Sequence, residues 1–262
     1  MNFLLFLIAF PGVAVTALLI PFLAFRWYIT PHRRMQTEWL LVGAALVQPA
    51  ASLALLSAEA LSRLRPLKLD LFIYQIDCFF GSPSFYLGRL VGAHLWLIIL
   101  TSVSYNLLSV AIFATFAVYL VLRPEQEALR VALAFLLNLF VAVPIYLLFP
   151  VCGPAFAFPT FPASPQAHLI LHMVSISAAP NGVPSVHASS ALLILWFLWP
   201  WTWGRAIGGI YLGLMILATL GSGQHYLFDL LCAVPYTALV LWLVSFLNVR
   251  SLAVKAICIK DS

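Results

Sequence analysis

Two histidines and an aspartate in the last third of the chain have the types and the spacing needed for nucleophilic catalysis. His187 ends the sequence Pro-Ser-Val-His, and His225 lies 38 residues later. Asp229 follows His225 by four residues, so on a helix the two side chains share one face. A carboxylate there can hold one imidazole nitrogen in its protonated tautomer and leave the other free to attack or to accept a proton. The pattern predicts an activated histidine nucleophile, with a carboxylate that merely caps a structural histidine as the alternative.

The composition excludes a soluble domain. Of 262 residues, 64% are hydrophobic and 8% are charged, whereas soluble domains carry roughly 25% charged residues. The apolar runs have roughly the twenty-residue length of a helix that crosses a ~30 Å hydrocarbon layer, about twice the length of a barrel strand. We therefore predict an all-α integral membrane protein that forms a single domain over 1–262. Seven candidate spans lie at 3–25, 37–61, 92–121, 130–149, 187–200, 206–222 and 226–248.

The spacing of the two histidines predicts that they return to the same membrane face. Thirty-eight helical residues cover about 57 Å, close to two crossings of the apolar layer. The turn between them carries Trp196, Trp199, Trp201, Trp203 and Arg205, which is typical of a membrane interface. The hairpin should therefore place His187 and His225 together at the opposite interface.

The distribution of the cations predicts which face this is. If 26–36 is cytoplasmic, nine of the 13 Lys and Arg residues fall on that side, as the positive-inside tendency requires. The other four, on the outer side, are Arg63, Arg65, Lys68 and Arg89.

With this orientation, the loop 150–186 lies outside and is long enough to be functional. The segment 67–87 is expected to form an interfacial helix before the next span. The chain has no basic stripe for nucleic acid.

The same residues resemble a known family. Residues 184–187 and 225–229 are similar to the PSxH and HxxxD signatures of the type-2 phosphatidic acid phosphatase superfamily. The His-Tyr form of the second signature resembles inositol phosphorylceramide synthases and sphingomyelin synthases. The stretches 77–83 and 146–154 also fit the inositol phosphorylceramide synthase branch. The resemblance covers residues 70 to 240.

The resemblance implies a fold and a set of roles. It implies a six-helix core over 37–248, with 3–25 as an added N-terminal span and the site at the outer membrane face. His225 would attack phosphorus and form a phosphohistidine, Asp229 would orient it, and His187 would protonate the leaving oxygen. Ser185 would help to hold the phosphate through its hydroxyl or its backbone N–H.

The chain departs from the family in its basic residues. The KxxxxxxRP motif is absent, since 146–154 contains no cation, and Ala218-Thr219 replace the Ser-Arg that often precedes the second signature. This loss favours the sphingolipid-synthase branches over an ordinary phosphatase and disfavours a vanadate haloperoxidase. Because phosphoryl transfer needs positive potential, we expect helix N-termini and one of Arg65, Lys68 or Arg89 to supply it. The alternative is that these cations only contact lipid headgroups.

The sequence thus predicts a phosphotransferase or phosphatase that acts on lipid phosphoesters, at the outer face of a cell membrane or Golgi-like endomembrane. Its partners would be a lipid substrate and either a lipid alcohol acceptor or water; with water it would be a phosphatidic acid or prenyl diphosphate phosphatase. A lipid transporter with a His/Asp proton relay is the alternative of another class. No cofactor or metal is expected, and His168 and His172 are predicted to cover the site. Cys78 and Cys152 are predicted to remain thiols rather than to pair.

Overall fold

The computed structural model describes residues 60, 68–163 and 179–247, and every regular element in these segments is helical. The predicted span 3–25 and nearly all of 37–61 lie outside the described residues. The ten described helices are α1 Asp70–Phe79, α2 Pro83–Gly92, α3 Leu95–Asn106, α4 Leu108–Leu122, α5 Glu125–Phe140, α6 Ala142–Leu148, α7 Pro154–Ala157, α8 Val186–Leu198, α9 Thr202–Gly221 and α10 Leu227–Phe246.

Several of these helices are long and apolar enough to cross a membrane. Within the described segments, Gln126–Leu148, Thr202–Gly221 and Leu227–Phe246 each qualify alone. The pair α2 and α3 qualifies as a fourth span if it is one broken element, bent by 116°. Helices α4 and α8 are apolar but shorter. The prediction of an all-helical membrane protein is confirmed, while the complete six-helix core stays a prediction.

Two stretches are divided more finely than the hydropathy pattern indicated. The run 92–121, too long for one straight crossing, separates at Leu107 into α3 and α4. The predicted interfacial helix over 67–87 is two helices, joined by a turn in which Gly81 and Ser82 have φ of 81° and 53°. At Gly81 this conformation has no steric cost, because glycine has no side chain. Apolar periodicity alone does not predict such a turn.

Helix α8 is packed at the centre of the described bundle. Gly204 and Gly208 of α9 lie directly against the Leu198 and Leu195 backbone, where any side chain would collide. On its other side a buried polar network crosses to α5 and α10. Asn138 donates to the Ser190 hydroxyl at 2.9 Å and accepts from the Ser189 hydroxyl at 2.6 Å. Interhelical hydrogen bonds of this kind fix the register of helices within a membrane.

A second core lies under the N-termini of α8 and α10. It brings together the rings of Tyr74, Phe85 and Phe158, with centroids 5.0 to 5.9 Å apart. Phe161 packs on Phe85 at 5.3 Å. The beginning of the loop predicted over 150–186 is therefore packed onto α1 and α2 by its aromatic side chains, and this core supports the turn that carries His225.

Candidate active site

His225 lies in the short turn between α9 and α10. The backbone N–H groups of Gln224 and His225 both donate to the Thr219 carbonyl, at 3.0 and 3.2 Å. Gly223 has a φ of 71°, a conformation that favours glycine, and its Cα lies against the Phe161 ring. The turn ends where α10 begins at Leu227, so the His225 side chain is set at the N-terminus of a helix.

Asp229 lies in the first turn of α10 and faces His225, as the four-residue spacing predicted. Its Oδ2 is 3.3 Å from His225 Nδ1 and accepts a hydrogen bond from the Tyr226 N–H at 2.9 Å. The carboxylate is fully buried. Its Oδ1 is a buried side-chain oxygen without a hydrogen-bond partner among the described residues. Asp229 Oδ2 therefore contacts both the N-terminus of α10 and the His225 imidazole.

His187 comes to the same place from the first turn of α8. Its ring centroid is 5.8 Å from that of His225, and its ring stacks on Tyr105 of α3 at 4.3 Å. Ser185 caps α8, since its hydroxyl oxygen accepts from the Ala188 N–H at 3.2 Å. The two histidines thus lie side by side at the N-termini of two adjacent helices, as the predicted hairpin requires.

The environment of His225 favours its neutral form. Burial lowers the pKa of this imidazole to about 4, and a hydrogen bond with the Gly182 backbone offsets only part of the effect. Removing a charged group from water disfavours the charged form. At neutral pH the ring is therefore unprotonated, which is the form that can act as a nucleophile.

The part of the sequence that carries these residues matches a known superfamily. A model of the PAP2 superfamily, that of the type-2 phosphatidic acid phosphatases, matches residues 77–243, which is more than half of the chain. The chain belongs to the PAP2 superfamily. No curated protein and no solved structure matches it significantly. Members of the PAP2 superfamily are typically phosphatases or phosphotransferases, which supports an enzyme that acts on lipids in a membrane.

The residues predicted to bind phosphate in this PAP2 protein are Ser185, Arg65 and Arg89, and the structure describes the first and the last of them. The Ser185 N–H donates to the Asp229 carbonyl at 3.2 Å, so the hydroxyl hydrogen is the group left for a ligand. Arg89 is exposed on α2, with its guanidinium 3.5 Å from the Pro162 carbonyl. No hydrogen bond or ion pair connects it to the described histidines. Arg65, like His168 and His172, lies outside the described residues.

Lys68, another cation predicted on the outer side, lies near Asp70. It is partly buried, and its charge interacts with Asp70 and with Cys152. Cys152 itself is buried whereas Cys78 is exposed, and no disulfide joins the two. Within the described segments, no cluster of His, Cys, Asp and Glu side chains could hold a metal ion.

Two further carboxylates next to the site were not predicted as functional. Asp70 and Asp77 of α1 are both fully buried, although the segment was expected to lie on the membrane surface. The apolar Phe72 and Phe79 of the same helix are exposed instead, so α1 turns its acids inward. Burial raises the pKa of Asp70 to about 6, while hydrogen bonds from neighbouring N–H and O–H groups oppose the shift. The sequence signal was available in the seven-residue spacing of the two acids, which places them on one helix face.

Proposed function

We propose that the chain is a membrane phosphotransferase or phosphatase that acts on lipid phosphoesters through a phosphohistidine. The observation that supports this most strongly is the meeting of His187 and His225, 5.8 Å apart between rings, with Asp229 at 3.3 Å from the second ring. Two imidazoles and one orienting carboxylate are sufficient for a nucleophile and an acid–base group. Membership in the PAP2 superfamily supports the same chemistry.

The reaction would proceed in two phosphoryl transfers. In the first, the His225 nitrogen that does not face Asp229 forms a bond to phosphorus while the P–O bond to the leaving group breaks. The leaving oxygen takes a proton from His187. In the second, the acceptor hydroxyl gives its proton to His187 and attacks phosphorus, and the P–N bond breaks. His187 thus ends in the form in which it began, and the acceptor carries the phosphoryl-linked group.

The acceptor is proposed to be a lipid alcohol, which makes the enzyme similar to inositol phosphorylceramide synthases. Two features support transfer over hydrolysis: the stretch 146–154 lacks the basic residues of the phosphatases, and Tyr226 gives the second signature its His-Tyr form. With water as the acceptor, the same steps describe a lipid phosphate phosphatase. The difference lies in which molecule occupies the acceptor site.

Positive potential at the phosphate would come first from the protein backbone. The N-termini of α8 and α10 carry partial positive charge and N–H groups next to the histidines. We propose that the Ser185 hydroxyl and one of Arg65 or Arg89 complete the phosphate site. If so, at least one of Arg65→Gln and Arg89→Gln lowers the turnover more than tenfold, and uniformly mild effects would contradict a role for both.

The site is proposed to face the extracytoplasmic side of a cell membrane or Golgi-like endomembrane. The distribution of Lys and Arg between the predicted loops supports this orientation. A single cysteine at the turn between α1 and α2, for example Ser82→Cys in a Cys78→Ala background, tests this orientation. Intact cells are treated with a membrane-impermeant thiol reagent. Labelling of intact cells is expected, and labelling only after lysis would reverse the orientation.

The direct test of the function is turnover of labelled lipids by the purified protein. Radiolabelled phospholipids and prenyl phosphates are incubated with and without a ceramide-type acceptor, beside the His225→Ala variant. The proposal expects label to leave the donor only with the wild-type protein, and its destination separates a synthase from a phosphatase. If no phosphoester is consumed, or if His225→Ala matches the wild type, the proposal is wrong.

A further inference from the structure

Helix α1 makes contacts to the site turn that the two family signatures do not contain. The first comes from Asp77, whose Oδ1 accepts a hydrogen bond from the Leu227 N–H at 2.8 Å. The Ser84 hydroxyl of α2 lies 3.2 Å from Asp77 Oδ2 and 3.2 Å from the His225 carbonyl oxygen, so its single hydrogen is shared between these two acceptors. Asp77 therefore holds the backbone after Tyr226 directly, and the Ser84 hydroxyl lies between Asp77 and the backbone before it.

Asp70 makes the second set of contacts. Its Oδ1 accepts from the Tyr226 hydroxyl at 3.1 Å. The same carboxylate accepts from the N–H groups of Cys152, at 3.0 and 3.1 Å, and Gly153, at 2.9 Å. Gly153 has a φ of 102° and lies against the Gln224 carbonyl, where a side chain would collide with the backbone. Asp70 thus holds the start of the outer loop and the ring of Tyr226 in one arrangement.

Together, the two carboxylates of α1 and the Ser84 hydroxyl of α2 contact three consecutive residues. Asp70 accepts from the Tyr226 hydroxyl, Asp77 accepts from the Leu227 N–H, and Ser84 lies against the His225 carbonyl. All the acceptors are buried, where hydrogen bonds to a carboxylate are stronger than neutral ones and are costly to break. The negative charge of Asp77 also lies at the positive end of α10, which is a favourable position.

We infer that Asp70 and Asp77 are positioning residues of the proposed phosphoryl transfer, which set the direction of the His225 ring by holding the Tyr226 hydroxyl and the Leu227 N–H, the two groups that directly follow it. The inference rests on the proposed function. Neither carboxylate is placed to touch the reacting atoms. Their effect would be on the alignment of the nucleophile, and misplacement by about 1 Å can cost on the order of a hundredfold in rate.

The first test separates alignment from lipid binding and from folding. Asp77→Asn and Ser84→Ala are compared with Thr115→Val, a buried hydroxyl of α4 that bonds only to its own helix through the Ala111 carbonyl. The expected result is a kcat at least tenfold lower for Asp77→Asn and about threefold lower for Ser84→Ala, with KM changed by less than twofold. Thr115→Val keeps the wild-type kcat. A wild-type kcat in both site variants, or a loss that Thr115→Val shares, overturns the inference.

The second test uses the pairing of Asp70 with Tyr226. Asp70→Asn, Tyr226→Phe and the double variant form a cycle that measures whether the two groups act together. If Asp70 acts on the turn through the Tyr226 hydroxyl, the double variant is less impaired than the product of the two single losses. Losses that simply multiply would contradict this step. Tyr226→Phe and Ser84→Ala remove only a hydroxyl, so they keep the test available if an aspartate variant does not fold.

The third test does not depend on turnover. In protein with ¹⁵N-labelled histidine, the His225 signals, assigned by their loss in His225→Ala, are expected to shift in Asp77→Asn and to stay in place in Thr115→Val. Unchanged signals overturn the positioning role. If wild-type protein consumes no phosphoester but these signals shift, the proposed function fails while α1 still sets the geometry of His225. If His225→Ala is inactive and Asp77→Asn is fully active, the function stands and the positioning role falls.

Discussion

Replacing Asp229 with asparagine isolates the contribution of its negative charge. Both contacts of the carboxylate use Oδ2, which is 2.9 Å from the Tyr226 nitrogen and 3.3 Å from His225 Nδ1. An amide oxygen can occupy this position and keep both contacts. The NH2 group then takes the place of Oδ1, which has no hydrogen-bond partner in the described structure. The variant therefore keeps the geometry and removes the charge.

The expected loss follows from the distance between the two groups. Phosphorylation of a neutral imidazole places positive charge on the ring, and a unit charge 3.3 Å away stabilises it by about 5 kcal/mol at an effective dielectric constant of about 20. This is an upper limit, since only part of the charge has developed in the transition state. We expect the rate of the first phosphoryl transfer to fall between about 100-fold and about 5,000-fold.

The assay is single-turnover transfer from a radiolabelled lipid, measured with protein in excess and at a concentration above which the rate no longer rises, so that lipid affinity does not enter. Asp229→Ala is the comparison, because it also removes the acceptor of the Tyr226 N–H. Its thermal unfolding should occur at a lower temperature than that of Asp229→Asn. A rate for Asp229→Asn within tenfold of the wild type would refute the reasoning, since it would show that Asp229 is uncharged during the reaction or acts only through its shape.

Three other outcomes are expected. Tyr105→Phe keeps a ring stacked on His187 at 4.3 Å and should have wild-type activity. Tyr105→Leu should lower the activity about three- to tenfold, the effect expected for loss of one aromatic contact. Equal activities in the two variants would contradict a role for the stack. Because burial lowers the pKa of His225 to about 4, its imidazole should remain neutral as the pH falls from 7 to 5 and take up a proton only near pH 4. A pH titration followed in ¹⁵N spectra measures this, and a titration midpoint near 6.5 would show a solvated ring. Asn138→Leu removes two hydrogen bonds to α8 and should lower the free energy of unfolding in detergent by about 1–3 kcal/mol. An unchanged free energy of unfolding would show that the polar network does not stabilise the fold.

The close approach of His225 to Asp229, and the place of His187 beside them, could be predicted from the sequence. The first pair is local, and a spacing of four predicts the contact on a helix, although His225 lies in the turn just before α10, which begins at Leu227. The second pair is distant in sequence, but a 38-residue separation fits a helical hairpin across an apolar layer. In both cases the spacing along the chain was enough to predict that the residues come together.

The role of α1 could not be predicted in the same way. Asp70 and Tyr226 are 156 residues apart, and Asp77 and Leu227 are 150 apart; no periodicity connects such pairs. A helix with mixed apolar and acidic residues is typical of a membrane surface when its acids face water. Here the acids face the protein, because the free N–H groups of α10 and of the loop after α6 provide donors that compensate for their burial. Only the tertiary arrangement reveals those donors.

The divisions within the apolar runs were also hidden in the sequence. The bend of 116° between α2 and α3 and the break at Leu107 both occur in mainly apolar sequence, where single polar residues such as His94 and Asn106 do not interrupt the hydropathy. Hydropathy measures the preference of a segment for lipid and carries no information on its direction. The spans predicted at 3–25 and 37–61 lie outside the described residues, so the complete number of crossings remains a prediction.

A phosphohistidine mechanism requires that His225 carries the phosphoryl group during turnover, and this intermediate can be captured. Purified protein is mixed for milliseconds to seconds with a ³²P-labelled lipid phosphoester that it consumes, quenched in base to preserve phosphohistidine, digested and mapped by mass spectrometry. We expect acid-labile label on the peptide that contains His225, absent from His225→Ala and lower in Asp229→Asn. Turnover of the lipid with no label on His225 in any of these samples, or label on another residue, would show that His225 is not the nucleophile.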